Sequence, residues 1–519
     1  MKSTNKKTRK QRRKKIGKNV VGGRALTSGG FGCLFRPVLK CKNTLNYDKI
    51  QGQSQGQLVT KLMTTKHAKD EYKQIREFKS ILDHIPNYQN YFLVDGFSLC
   101  EPAELSADDL KDFDDNCSAL KKKHFKESNI NQNLDKILAL NMPDGGIDVD
   151  DYLLNVANKS EIVEIYSDLN MSLIDLLVNG IEPMNQANLY HCDVKGSNML
   201  VSKENKKDLI VRLIDWGLSI NKKDTSKNIF PGKLERRPFQ FNVPFSVILF
   251  NKKFTEKYDS FLKRHNKTVD YFAIREFVIN YIFYWNKIRG AGHLKTINAI
   301  MKRLTYDELP AIENKKIKNH VIEYDFTYYY IVEYISQILL KYTVNGKLNL
   351  LDYFNNVFLK NIDVWGLTMI YIIFLDHLYE IYDNDDQLNI YHMQFIDKIK
   401  YIIIHFLFEN SVKVIDINNL VSELQTLNGL IAKFNTTNKT NKDEKVNYIL
   451  SLTKIAVDDI KEIGSKEIGS KELGSKELGS KEIEGGLISP SKQNQTNKKR
   501  SRNRSRKRTR KRNRRRPIL

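Results

Sequence analysis

Two short stretches, HCDVKGSNML at 191–200 and LIDWGLS at 213–219, constrain this chain more than any other part of it. They flank two short apolar runs of β character, NMLV and LIVRLI. Around that pair stand an imidazole (His191), two carboxylates (Asp193, Asp215), a cation (Lys195) and an amide (Asn198). Ordinary polar turns between strands need no such set. A site that handles charge does, and the rest of the chain decides between the two.

A chain of 519 residues with 41% apolar and 10% aromatic content can bury a sizeable core and has room for two or three domains. Its net charge of +24 points to nucleic acid until the charge is located. Residues 1–18 carry ten Lys/Arg and no acid, and residues 498–519 carry fourteen and no acid, which together equal the whole excess. The body is therefore neutral, with two basic arms that attract polyanions through solvated charge. Five scattered cysteines, Cys33, Cys41, Cys100, Cys117 and Cys192, are odd in number and form no C-x-x-C pair. They read as reduced thiols of a cytosol-like compartment rather than a disulfide framework or zinc site. The longest apolar run, Trp365 to Leu375, is too short to span a bilayer, and the N-terminus has no signal-peptide stretch. The expectation is an intracellular, soluble protein with no membrane partner.

From about Gly22 to Leu99, β-like runs (CLFRPVL, QLVTKLM, YFLVDGF) alternate with one helical segment, AKDEYKQIREFKSILDHI, whose Tyr72, Ile75, Phe78, Leu82 and Ile85 recur at helical spacing. A polar stretch, Ser54 to Gln57, and a charged one, Glu101 to about Gln132, interrupt this part. After Pro143 the pattern turns helical out to about residue 434. The fold class expected is α+β: a small β-rich lobe before a larger helical one. Residues 435–445 read as a surface loop and 446–460 as one last helix. KEIGS, KEIGS, KELGS and KELGS at 461–480 read as a flexible linker, because their Gly and Ser interrupt any helix.

The opening motifs, H-x-D-x-K-x-x-N followed by D-W-G, resemble the catalytic loop and metal-binding turn of the protein kinases. The resemblance assigns Asp193 to the attacking hydroxyl, Lys195 to the moving phosphate, and Asn198 and Asp215 to Mg²⁺, an ion that prefers hard oxygen ligands. It treats His191 as a structural brace. Upstream, ALTSGGFGCLFRP at 25–37 looks like the glycine-rich loop over ATP: Gly29, Gly30 and Gly32 near the phosphates, Phe31 at the hairpin tip, Leu34 over the adenine. Lys61 in QLVTKLM takes the place of the lysine that grips the α/β-phosphates. Its carboxylate partner is Glu71 or Glu77, with Glu77 favoured because it precedes Ile81 by one turn and lies shortly before the IPNY turn. KILALNMPDGG resembles the hinge, with Leu140 as gatekeeper and backbone groups of Asn141 and Met142 offered to adenine. NIDVWGLTMIY at 361–371 resembles the buried central helix, whose Asp363 would hold the catalytic-loop backbone.

GGFGCLFRP, MPDGG and RRPFQFNVPFS resemble most the divergent serine/threonine kinases of large DNA viruses that replicate in cytoplasm. That resemblance implies a bilobal kinase: an arm at 1–21, a small lobe at 22–142, a large lobe at 143–434 with a helical insertion at about 245–360, then 435–460, a linker at 461–497 and a basic tail at 498–519. Its substrates would be ATP with Mg²⁺ and protein Ser/Thr hydroxyls, the last because of Lys195. The arms would meet nucleic acid or a virion polyanion. Location would be host cytoplasm or virion, or the nucleus through the arms. The chain departs from the family at Thr27 (for the first glycine), Cys192 (for arginine) and Trp216 (for phenylalanine), and it lacks an A-P-E segment. H-x-D-x-x-x-x-N followed by I-D-W also fits aminoglycoside and choline kinases, so a small-molecule phosphotransferase is the alternative. A pseudokinase scaffold carrying nucleic-acid-binding arms is the non-enzymatic one. Cys192 cannot make the arginine's bidentate contact with a phosphate, so activity is expected without activation-loop phosphorylation.

Overall fold

The computed structural model describes residues 24–42, 58–155, 159–204, 208–222, 230–266, 269–305, 313–382 and 388–435. The arm at 1–21, the stretch Ser54 to Gln57, the loop and helix expected at 436–460, the linker and the basic tail lie outside them. The chain divides near Tyr448 into two units, and every described residue belongs to the first.

Architecture is α+β, a small antiparallel sheet followed by a mostly helical remainder. The sheet contains β1 (Arg24–Ser28), β2 (Gly32–Arg36), β3 (Leu58–Thr64), β4 (Ser98–Cys100) and β5 (Ile137–Pro143) in the order β1-β2-β3-β5-β4. Central β3 reads LVTKLMT, rich in β-branched and apolar residues, and all but Lys61 and Thr64 are buried, as a strand covered on both faces requires. Helix α1 (Thr65–Leu82) follows β3 without a loop. It buries Ala68, Ile75, Phe78 and Leu82, a stripe at three- and four-residue spacing.

CLFRPVL and QLVTKLM supply strands where the pattern placed them, but YFLVDGF does not join the sheet. Its Phe92 makes one isolated parallel bridge with Leu213, and Tyr91 and Leu93 exchange backbone hydrogen bonds with Leu213 at 2.8 and 3.1 Å. The edge strand is the later SLC. Alternating apolar residues are equally served by this contact, which fastens the end of α1 to the site strands.

The cysteine expectation is corrected. Cys33 is bonded to Cys117 and Cys41 to Cys100, leaving Cys192 as the free cysteine among those described. The charged stretch 101–132 folds as short helical turns over β1 and β2, which brings Cys117 under β2. Asn116 Nδ2 donates to the Ala25 carbonyl at 2.9 Å, the Ala119 amide donates to Ser28 Oγ at 2.9 Å, and Arg24 pairs with Asp112. Cys41 and Cys100 lie beside a backbone bridge between Cys41 and Pro102. Sheet adjacency, which cysteine spacing does not encode, decides these pairs, and the thiol argument for a reducing compartment falls with them.

In the helical remainder, β8 (Met199–Glu204) and β9 (Asp208–Leu213) form a hairpin, extended by β6 (Ile147–Asp148). β7 (Leu189–Tyr190) pairs with β10 (Ile220–Asn221) and closes the chain around the motifs. The described part of 245–360 is mainly helical, with α2 (Lys252–Arg264), α3 (Tyr271–Arg289) and α4 (Tyr328–Tyr342) packing aromatic faces into the common core. Leu350–Ile381 is long and apolar enough to cross a membrane, longer than the run Trp365 to Leu375 taken from sequence, but 89% of its most apolar window is buried inside the fold. Its middle portion, α5 (Leu359–Thr368), is buried at Asp363, Trp365 and Gly366 and forms the floor of the candidate site.

Candidate functional site

The hairpin β8–β9 brings the two motifs together at one end. Asn198, just before β8, accepts the Ile214 amide on its backbone carbonyl at 3.0 Å, which joins the 191–198 loop to the 214–217 turn. Both segments are held in uncommon backbone geometry: Cys192 has φ +60° and Asp215 φ +64°. A non-glycine residue there costs about 1–3 kcal/mol and persists only where its surroundings hold it. For Cys192 the restraint is visible. Asp363 accepts the His191 amide on Oδ2 at 2.8 Å and the Cys192 amide on Oδ1 at 2.7 Å. Full burial pushes the Asp363 carboxyl up to about 7, against the pull of those two amides.

Asp193 is nearly buried, with 8% of its side chain exposed, and three donors fix it. Lys195 Nζ and Asn198 Nδ2 donate to its Oδ2 at 2.8 and 3.0 Å, and Asn242 Nδ2 donates to its Oδ1 at 2.9 Å. Burial alone would raise this carboxyl, but the charge and hydrogen bond of Lys195 and the Asn242 amide outweigh it and hold the group below its ordinary value. Asp193 is thus ionised and aimed. Asn198 also donates to the Asp193 carbonyl at 2.8 Å. Asn242, from the irregular segment FQFNVP, is a site residue that sequence reasoning misses, because no spacing signal marks it.

His191 is fully buried, its Nε2 lies 2.9 Å from the Ile214 carbonyl, and burial lowers its pKa. A neutral ring wedged between two backbone segments is a brace, as expected. Trp216 extends the brace: its indole lies 5.0 Å from His191, 5.8 Å from Phe78 of α1 and 5.8 Å from Phe92. One side chain thereby sets α1, the 91–93 bridge and the polar loop against each other.

Across from this loop stands Lys61. Its Nζ lies 2.6 Å from Glu71 Oε1 and 4.0 Å from Asp215 Oδ1. Burial would lower the ammonium's pKa, but the charges of Glu71 and Asp215 outweigh it and raise the value. The expectation for Glu77 is corrected here: it pairs with Lys73 at 3.6 Å on the outer face of α1, with 56% of its side chain exposed. Glu71 falls on the buried 68/75/78/82 stripe, three residues after Ala68 and four before Ile75, whereas Glu77 falls off it. That periodicity was the readable signal. Distance from the following turn was the wrong ruler.

The remaining expected residues surround Lys61. Leu34 and Leu140 are its neighbours on β2 and β5. Gly29 and Gly30 have nothing within 4 Å of a Cβ position, so the hairpin tip faces open space, and Phe31 is 50% exposed beside His67. Gly32 has a different reason: a Cβ would sit 2.4 Å from Met63 and 2.7 Å from the Leu62 carbonyl, so close strand approach demands it. Asn141 is paired on both sides, with Thr60 and Ser98, and its buried side chain accepts from Thr60 Oγ1 at 2.6 Å. Met142 is paired with Val59. The first residues past the sheet are Asp144 to Gly146, where Arg36 Nη2 donates to Asp144 Oδ1 at 2.6 Å.

Among the described residues no three His, Cys, Asp or Glu side chains converge as a closed metal cage. Asp215, 41% exposed, offers a hard oxygen donor at one edge of the site, and the amide oxygen of the buried Asn198 is a second hard donor on the neighbouring loop. Such a donor set fits an ion like Mg²⁺ that completes its shell with water and phosphate oxygens. Chemically, the arrangement joins a mostly buried cation (Lys61), an oriented carboxylate with its own cation (Asp193, Lys195) and a partly exposed carboxylate (Asp215). No family model matches this chain, and no curated protein matches it.

Proposed function

We propose that this chain has a bilobal protein-kinase-like fold and transfers the γ-phosphoryl group of ATP to Ser/Thr hydroxyls of proteins. The observation that carries the reading is the ionic chain Glu71–Lys61–Asp215 facing Asp193–Lys195 across a hairpin end, in a fold assembled from distant parts of the sequence. Phosphoryl transfer passes through a loose transition state in which the protein mainly positions groups and stabilises charge. Each residue has a place in that task. Lys61, held in line by Glu71, binds phosphate oxygens beneath the open tip at Gly29 and Gly30. Asn198 and Asp215 would hold Mg²⁺, which neutralises charge developing on the phosphate oxygens. Asp193, fixed by Asn242 and Asn198, orients the acceptor hydroxyl and takes its proton as the hydroxyl oxygen bonds to the γ-phosphorus and the bond from that phosphorus to the bridging oxygen breaks, releasing ADP. Lys195, already on Asp193, reaches the transferred group.

Lys195 two residues after Asp193 supports a protein Ser/Thr acceptor. Asp363 and Gly366 support the same fold reading, since α5 approaches so closely that a Cβ at 366 would lie 2.5 Å from the Val194 carbonyl. The arms at 1–21 and 498–519 make nucleic acid or another polyanion the second partner, on charge alone. The test is transfer from labelled Mg·ATP to basic proteins, acidic proteins, aminoglycosides and choline. Label on protein Ser/Thr supports the reading, label on a small molecule selects the small-molecule alternative, and binding of nucleotide without transfer to any acceptor selects the scaffold.

A further inference from the structure

Position 192 carries no cation of its own, yet a buried guanidinium touches it. Arg237, which is 5% exposed, donates from Nη1 to the Cys192 carbonyl at 2.7 Å. Cys192 is the left-handed residue immediately before Asp193, and its amide is already taken by Asp363 at 2.7 Å. One residue is therefore gripped from both ends, by a carboxylate on its N–H and a guanidinium on its carbonyl. The two grips come from separate elements, α5 and the irregular segment 230–244.

Arg237 is itself held. Trp285 of α3 donates its Nε1 to the Arg237 carbonyl at 3.0 Å, and the Arg237 amide donates to the Leu234 carbonyl at 3.1 Å. Among the described residues its Nε and Nη2 have no hydrogen-bond partner, and the bond from Nη1 to Cys192 is the one that holds the head group there. Asp193, Asp363 and Lys233 are the charged groups within its electrostatic reach. Five residues on, Asn242 holds the Asp193 carboxylate. The same segment thus sets both the peptide entering Asp193 and its side chain.

We propose that Arg237 is a positioning residue for Asp193, supplying from the downstream segment the cation that residue 192 lacks, and that Trp285 couples this grip to the helical insertion. The inference rests on the phosphotransfer reading for its kinetic consequence, but its structural consequence stands without it. The uncharged side chain of Arg237→Met should leave the Cys192 carbonyl without its donor and the loop free to leave its left-handed geometry. Arg237→Lys keeps charge and one donor.

The experiment combines steady-state phosphotransfer with amide hydrogen exchange of the peptide covering 191–195, on the full chain. Arg237→Met should lower kcat at least tenfold with the KM for ATP nearly unchanged, because Arg237 lies on the Asp193 side and Lys61 is untouched. Exchange should rise in 191–195 and not in β3 or α1. Arg237→Lys should recover most of both. A wild-type kcat and wild-type exchange in Arg237→Met would overturn the proposal, as would a lysine variant no better than methionine. Should Arg237→Met fail to fold, Arg237→Leu, which likewise offers no donor to the Cys192 carbonyl, carries the same two outcomes. If the wild-type chain transfers no phosphate, the phosphotransfer reading fails by itself, and the exchange data still decide whether Arg237 fixes the loop.

Discussion

Replacing Glu71 and Glu77 separately by glutamine distinguishes a buried ion pair from a solvated one on the same helix. Glu71 Oε1 lies 2.6 Å from Lys61 Nζ, and the two side chains are only 13% and 16% exposed. Removing one partner of a buried pair typically costs about 3–5 kcal/mol, because the other charge is left uncompensated. Here Lys61 keeps Asp215 at 4.0 Å, a contact worth at most about 4 kcal/mol at an effective dielectric near 20. It is weakened further because Asp215 is 41% exposed. Glutamine also retains a hydrogen-bond acceptor. The net loss for Glu71→Gln should be about 2–3 kcal/mol. Glu77 and Lys73 are 56% and 79% exposed, so Glu77→Gln should change stability by no more than about 0.5 kcal/mol. Urea unfolding followed by tryptophan fluorescence reads both, since Trp216 packs on α1 through Phe78. The phosphotransfer rate should fall with Glu71→Gln and not with Glu77→Gln. Equal losses, or a larger one at Glu77, would refute the assignment of α1's inward face.

Gly366→Ala places a methyl 2.5 Å from the Val194 carbonyl and 2.8 Å from Val194 Cβ; the polar loop must shift, with a stability loss of about 1–3 kcal/mol and a fall in kcat, both checked on one preparation. The oxidised chain should have an intact mass lower than the reduced chain by four hydrogens, for Cys33–Cys117 and Cys41–Cys100, and Cys33→Ser should lose roughly 3–4 kcal/mol by the loop-entropy relation, because the retained Cys41–Cys100 bond short-circuits most of the loop that Cys33–Cys117 closes. The Asp363 carboxyl titrates near 7 in the fold against an ordinary value of 3.8. Since folding favours its protonated form, its stabilising contribution is full below about pH 4 and is lost as pH rises through about 7. Asp363→Asn should therefore flatten the stability-against-pH curve across that window relative to wild type, read by urea titration at several pH values.

The residues most legible in the sequence are those whose geometry is local. His191, Asp193, Lys195, Asn198 and Asp215 lie on one hairpin and its flanks, so their spacing already implies their meeting. Asp363 was legible for another reason: NIDVWG resembles the central helix of the protein kinases, and that resemblance alone singled out its carboxylate. Glu71 was half legible, since its membership of the buried stripe was in the sequence while the face that α1 turns toward Lys61 was not. Arg237 and Asn242 were not legible. They come from an irregular segment with no period to reveal which side chains turn inward, and only the packing of α3 and α5 around it does so. The cysteine pairs failed for the same reason, because bonding depends on which strand lies beside which turn. YFLVDGF shows that an apolar alternation specifies a half-buried extended segment without naming its partner.

The central claim, that Asp193 handles the acceptor hydroxyl while Lys61 and Asp215 handle the nucleotide, meets its most direct test in single-turnover transfer from Mg·ATP by the wild-type chain and by Asp193→Asn, with nucleotide affinity measured on the same samples. Asp193→Asn should reduce transfer to a protein acceptor by at least about a hundredfold, the scale of a lost general base, and leave ATP affinity within a few-fold. Transfer at the wild-type rate by Asp193→Asn, or a loss of affinity as large as the loss of rate, would contradict it.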